Sequence, residues 1–209
     1  MDLAHLPAAF EEQWIASLPL PVEDRPPGQT VALVDNDGFQ REMNEEAIAG
    51  AYARRPRTRV LESIHSRSDG WYSLVALHLA RLLRRRVVCT LYESQAGNDN
   101  LGRHHDQWDG LIMQMRGVKT WRLWGEQDTQ QPLEQLLTRT GDVLLLPRGM
   151  SHEVETPDDS VHLVFAVTGE PLAATATQLP LSGPMTDRPG ERIRSPSRPK
   201  PERSARGAW

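Results

Sequence analysis

Between Val87 and Thr168 the chain is cut into short segments, VVCTLYE, GLIMQM, VKTWRLW, DVLLLP, HEVET and VHLVFAVT, each followed within a few residues by glycine, asparagine, aspartate or proline. Segments this short and rich in β-branched residues fit a period of two rather than a helical repeat. They predict strands near 87–93, 103–106, 110–115, 118–124, 142–147, 152–156 and 161–168. Turns are expected at Ala96-Gly97-Asn98-Asp99, Arg116-Gly117 and Pro157-Asp158-Asp159. A helical stretch around Pro132 to Leu137 is expected to cross between them.

The flanks differ in kind. Phe10, Trp14, Ile15 and Leu18 are spaced for a helix over 8–18, ended by Pro19 and followed by the loop LPLPVEDRPPG. Residues 41–55 and 71–86 are further helix candidates, the second closing on Arg81, Arg84, Arg85 and Arg86, which suit the negative end of a helix dipole. This divides the chain into a helical and mixed segment over 1–86, a β core over 87–172 and a tail over 173–209. From Gly183 onward Pro, Arg, Ser and Gly dominate, and so little apolar surface cannot offset the entropy of ordering, so disorder is expected. Six Arg and one Lys against Asp187, Glu191 and Glu202 give residues 183–209 a net charge of +4 and leave −8 on the rest. The tail is either a solubilising terminus or a contact for RNA or another acidic surface; the acidic remainder favours a cationic substrate.

At 209 residues and 38% hydrophobic content, one sizeable core is expected. The single Cys89 has no intramolecular partner and sits in an apolar run, as in a reducing compartment. No positively charged segment precedes a long apolar block, and no stretch reaches membrane-spanning length. The expected compartment is the cytoplasm, with no membrane association.

Chemistry concentrates in RHHD (103–106) and RGMSH (148–152). Strand parity puts His104 and Asp106 on one face and His105 on the other. His152 opens a second strand in which His152, Val154 and Thr156 share a face opposite Glu153 and Glu155. Two imidazoles and a carboxylate with open coordination positions form the 2-His-1-carboxylate set of non-haem Fe(II) oxygenases. The competing reading is a chance triplet beside an ordinary packed histidine. Mn(II), Co(II), Ni(II) and Zn(II) suit the same donors. Other positions stay open between site and scaffold. His105 is a substrate contact or a surface residue, His162 faces the cavity or packs within its strand, and Trp108 covers a pocket mouth or only packs. Asp109 has the wrong parity for ligation and suits a turn-fixing hydrogen bond; Gln114 faces the cavity if its strand has no bulge.

The stretch LGRHHDQWDGLIMQMRGVKTWRLW (101–124) resembles the H-x-D, second aspartate and G-x-K/R-x-W segment of the JmjC-type ribosomal oxygenases, also called the cupin-4 family. GDVLLLPRGMSHEVET, ending in SVHLVFAV, is similar to their distal-histidine hairpin. The resemblance covers about 87–168 and, more faintly, FEEQWIASLPLPV near the start. It implies a mainly β, double-stranded β-helix (jelly-roll) barrel with N-terminal helices, with Fe(II) on His104, Asp106 and His152 and 2-oxoglutarate as co-substrate. Lys119 shares a face with Trp121 and Leu123, and an inward ammonium is costly unless an anion meets it. The resemblance supplies that anion as the distal carboxylate of 2-oxoglutarate; the alternative is a lysine that snorkels to the rim. The activity implied is hydroxylation of a C–H bond on a protein or peptide residue, with release of succinate and CO2. The alternatives are a tailoring hydroxylase of a free amino acid or natural-product intermediate, and a catalytically inactive cupin-like binding protein. No counterpart of the helical dimerisation region and winged-helix-like domain of better-known members is expected in the residues after the last strand, which leaves the oligomeric state and substrate open.

Overall fold

A seven-stranded antiparallel sheet and a four-stranded one enclose a shared apolar interior. The computed structural model describes residues 17–20, 29–67, 70–98, 100–125 and 130–172. Nearly all of the expected first helix, and the basic tail, lie outside the described residues.

In chain order the elements are β1 (Val31–Asp35), β2 (Gly38–Glu42), α1 (Glu45–Arg54), β3 (Thr58–Leu61), a 3-10 turn (Ile64–Ser66), α2 (Trp71–Leu83) and β4 (Arg85–Ser94). There follow β5 (His104–His105), β6 (Asp109–Arg116), β7 (Val118–Trp124), β8 (Glu134–Arg139), β9 (Val143–Leu146), β10 (Ser151–Glu155) and β11 (Ser160–Pro171). The larger sheet has the order β2-β1-β3-β4-β11-β6-β9 and the smaller β5-β10-β7-β8. This is the expected mainly β jelly-roll architecture.

Parity explains why β4 and β11 read as continuous apolar runs: their sheet is covered on both faces. Val87, Cys89 and Leu91 pack with Leu163 and Phe165 against Tyr72, Ala76 and Ala80 of α2. The alternate residues, Val88, Thr90 and Tyr92 on β4 and His162, Val164 and Ala166 on β11, face a cavity. Cys89 is fully buried on the helix side, and burial pushes its thiol up, away from the reactive thiolate. Ile112, Leu144, Leu146 and Val164 of the larger sheet meet Trp121 and Leu123 of the smaller one.

Two helix expectations shift. The first candidate begins at Glu45 because residues 38–42 pair with β1, and Asn44 caps the helix through its side chain on Glu46 N (2.8 Å) and Ala47 N (3.3 Å). The second stops at Leu83, where Arg84 turns left-handed (φ 53°), and Arg85 and Arg86 open β4 instead of ending the helix. The expected helix around Pro132 to Leu137 is instead largely strand β8, paired to β7 from Val118↔Arg139 to Leu123↔Glu134. Leu133, Leu136 and Leu137 are spaced for a helix turn, but the open edge of β7 and the packing of Leu136 into the shared interior decide for strand. β1, β2 and β3 were not read from the sequence as strands, yet β1 and β3 carry β2 into the larger sheet.

Gly117 makes the β6–β7 hairpin possible. It sits at φ +66°, and a Cβ there would stand 1.8 Å from the Asp159 carbonyl oxygen. The tight turn keeps Lys119 and Gln114 in fixed phase.

Candidate metal centre

β5 and β10 are antiparallel neighbours in which His104 stands directly opposite His152. Directly opposed residues project from the same face at close range, and the two imidazole centroids are 4.3 Å apart. Asp106, two residues beyond His104, returns to that face, with its Oδ2 3.7 Å from His152 Nε2. One donor atom from each of the three residues lies within 4.8 Å of the others. Among the described residues this is the set of metal-binding side chains that converges.

The backbone has already chosen the tautomers. His104 Nδ1 lies 2.9 Å from the Gly102 carbonyl and His152 Nδ1 3.0 Å from the Met150 carbonyl. A carbonyl only accepts, so each Nδ1 carries the proton and each Nε2 presents a lone pair, the orientation usual for a metal-ligating histidine. Gly102 reaches this position at φ +66°, with Asn36 Oδ1 2.7 Å from where a Cβ would stand. Burial lowers the His152 pKa to about 4, so its ring is neutral near neutrality. Burial raises the Asp106 carboxyl against the opposing pull of His104 and His105. A cation shared by the three would reverse that desolvation cost.

Two hydrogen bonds from backbone N–H groups hold the two loops together. Gly149 N donates to the Asp106 carbonyl (2.9 Å), and Arg148 N donates to Asp109 Oδ1 (2.8 Å). Asp109 is therefore the loop-fixing residue that its parity indicated. His105 is exposed on the outer face. Gln114 is fully buried, but it binds Ser160, Arg116 and Thr138 beneath the interior and does not line the cavity.

The three ligands open into a cavity of about 350 Å³, with Trp108, Ile112 and Leu146 near them and Val34, Phe39 and Val60 contributed by the first strands. Lys119 lies in the same wall at 2% exposure, which overturns the rim alternative. Its Nζ donates to Ser94 Oγ (2.8 Å) and Thr156 Oγ1 (2.5 Å), and Ser94 Oγ also pairs with Thr58 Oγ1 (2.9 Å). An ammonium has three N–H groups, so one is left without a partner among the described residues. Burial pulls the Lys119 pKa down to about 7, and an anion beside it would restore the charged form. Sequence reasoning missed Tyr92 as a cavity residue and Ser94 as a partner of the Lys119 ammonium; their shared parity on β4 was the available signal. It also missed Asn100, which donates to the Val154 carbonyl (2.6 Å) and accepts from Gly102 N (2.8 Å).

The fold and the converging donors define a jelly-roll protein whose His104, Asp106 and His152 are placed so that they could hold a metal ion. A JmjC domain matches residues 68–174, half of the chain, and the chain belongs to that family. It is 32% identical over 96 residues to ribosomal oxygenase 2 of Mus musculus, an alignment covering 38% of this chain and 21% of that protein. It is 31% identical over 99 residues to the bifunctional lysine-specific demethylase and histidyl-hydroxylase NO66 of Dictyostelium discoideum, covering 38% and 19%. The aligned segment thus spans about a fifth of these curated relatives. The Escherichia coli ribosomal oxygenase YcfD, in a structure with cobalt and 2-oxoglutarate, superposes with a TM-score of 0.54 at 15% identity over 88% of this chain and 55% of that one, a likeness of fold. No helix among the described residues is long and apolar enough to cross a membrane.

Proposed function

We propose that the protein is an Fe(II)- and 2-oxoglutarate-dependent oxygenase that hydroxylates a C–H bond of an amino-acid residue in a protein or peptide. The observation that carries this reading is the opening of two complementary features into one cavity: the neutral-imidazole and carboxylate donors of His104, Asp106 and His152, and the buried ammonium of Lys119. The donor set suits a divalent first-row ion with positions left open. The partly unsatisfied, desolvated ammonium suits the far carboxylate of a dicarboxylic co-substrate whose other end chelates the metal.

Within this reading, His104 and His152 hold the ion through Nε2, with their rings oriented by the Gly102 and Met150 carbonyls. Asp106 supplies the compensating negative charge. Lys119 fixes the co-substrate, aided by Ser94 and Thr156, which hold the ammonium in place. Iron(II) with 2-oxoglutarate, when bound, supplies oxidative hydroxylation from O2, releasing succinate and CO2. Trp108, Ile112, Trp121 and Leu146 exclude water from the reacting end and orient the incoming C–H bond. The activities that give the relatives their names, ribosomal oxygenase and histidyl-hydroxylase, support a protein residue as the acceptor.

The test is anaerobic titration of Fe(II)-loaded protein with 2-oxoglutarate, following the visible charge-transfer band of the bidentate chelate, in wild type and His152→Ala. A band in wild type that is lost in the variant is expected. Its absence from fully metallated wild type would instead favour a cupin-like binding protein. Turnover with candidate peptides should then add the mass of one oxygen atom per succinate formed.

A further inference from the structure

His162 is a titratable side chain in the cavity wall that neither the three ligands nor Lys119 accounts for. His162 stands on β11 between Tyr92 of β4 and Gln114 of β6, and is 4% exposed. Its ring lies face to face on Tyr92, with centroids 4.9 Å apart and planes 3° off parallel, and meets Trp121 edge-on at 5.8 Å. Two aromatic neighbours clamp the ring plane, which a merely space-filling residue would not require.

The nitrogens of this ring are not equivalent. Nδ1 is sealed from solvent and has no hydrogen-bond partner. Nε2 also has none among the described residues, and because His162 lines the cavity, Nε2 is the nitrogen left on the cavity side. Burial, reinforced by the nearby Lys119 charge, keeps the ring neutral. A neutral imidazole has one N–H and one lone pair. Neither nitrogen is tied by the protein, so an anion in the cavity would draw the proton to Nε2, the nitrogen that reaches it. Lys119 arrives from β7 of the smaller sheet and His162 from β11 of the larger, so the two donors come from opposite walls.

We propose that His162 is a positioning residue for the dicarboxylic co-substrate, its Nε2–H donating to the same distal carboxylate that Lys119 neutralises. The proposal rests on the reading of Lys119 given above. A carboxylate accepts several hydrogen bonds, and a lone ammonium sets its distance without fixing its plane. A second donor on a clamped ring from the facing sheet fixes the plane and aims the chelating end at the ligands.

The experiment compares two 2-oxo acids on Fe(II)-loaded, anaerobic protein by isothermal titration calorimetry. One is 2-oxoglutarate; the other is 2-oxobutanoate, which keeps the chelating end and lacks the distal carboxylate. His162→Phe retains a ring against Tyr92 and removes the N–H. It should weaken 2-oxoglutarate binding by roughly 10- to 100-fold, as expected for a hydrogen bond to a charged group, and leave 2-oxobutanoate and iron affinity unchanged. His162→Gln should recover part of the loss. Unchanged 2-oxoglutarate affinity in His162→Phe, or equal weakening of both acids, would overturn the proposal while leaving the Lys119 reading intact. If Lys119→Ala also leaves 2-oxoglutarate affinity unchanged, the underlying reading fails with it. A measurement on the unmutated protein guards against a misfolded variant: with Zn(II) bound, the His162 Nε2–H resonance should move downfield on adding 2-oxoglutarate and not 2-oxobutanoate. A resonance indifferent to both acids would equally refute the contact.

Discussion

Lys119→Met in the metal-free protein should make the fold more stable near neutral pH while abolishing tight co-substrate binding. Lys119 is 2% exposed, and its pKa falls from 10.5 to about 7 through burial. That displacement corresponds to about 5 kcal/mol of penalty on the charged form. The unfolded chain binds the proton up to its ordinary pKa near 10.5, whereas the folded chain releases it near 7. Between these values the unfolded state holds more protons, so wild-type stability rises with pH across that window. Below about pH 7 the whole penalty is present, and above about pH 10 it has gone. His162, whose pKa the Lys119 charge helps to lower, stays neutral throughout the window and adds no slope. Methionine keeps the stem volume and removes the charge, at the cost of the hydrogen bonds to Ser94 and Thr156. Allowing about 1 kcal/mol for hydroxyls left without that donor, the net gain at pH 7 is about 3 kcal/mol. Urea unfolding in the presence of a chelator, repeated from pH 6 to about pH 10, should show the wild type approaching the variant as pH rises. Parallel curves, or a variant less stable at pH 7, would refute the picture of an uncompensated buried ammonium.

Gly117→Ala should cost more than about 2 kcal/mol, read as a fall in Tm, because the new Cβ would stand 1.8 Å from the Asp159 carbonyl at a left-handed backbone. Asn44→Ala should cost about 1 kcal/mol by stripping the cap from α1, with no effect on metal binding. Fe(II) or Co(II) added to chelator-treated protein should raise Tm by ligand linkage, and Asp106→Ala, which removes the carboxylate from the ligand set, should abolish the rise. Phe39→Ala, at a cavity residue 44% exposed, should leave iron and 2-oxoglutarate affinities unchanged and raise KM for the hydroxylated partner. A changed 2-oxoglutarate affinity would place Phe39 nearer the co-substrate than its position on β2 allows.

Strand parity carried the site. His104, Asp106, His152 and Lys119 all face the interior because a period of two is a local property of extended chain, readable without knowing which strands pair. The same logic separated His105 and Asp109 from the ligands. Gln114 shows its limit: parity turned it inward, but the hydroxyls of Ser160 and Thr138 that tie it up come from strands far away in sequence. Leu133, Leu136 and Leu137 misled for a related reason, since their spacing fits a helix turn and only the free edge of β7 turns them into strand. The early strands escaped notice because Val31–Asp35 is a single apolar run without alternation, as expected of a strand buried on both faces.

β10 explains why the converging imidazole and carboxylate donors and the lysine partner appear together. Along one face it presents His152 to β5, Val154 opposite Trp121, and, just past its end, Thr156 to the Lys119 ammonium. Four residues of extended chain span about 13 Å, so one strand sets the spacing between the imidazole and carboxylate donors and the Lys119 ammonium. A slip of one residue would turn His152 outward, bring Glu153 into its place and put Pro157, which has no hydroxyl, where Thr156 meets Lys119. The register is held on the inner face by Val154 in the shared apolar cluster. On the outer face it is held by Arg122, which bridges Glu153 (3.2 Å) and Glu155 (2.7 Å) across the pair. Those partly exposed ion pairs add little stability, but a slipped strand would carry both carboxylates away from Arg122. The residues that select the register are thus different from the residues that do the chemistry, and both alternate along the same five-residue strand.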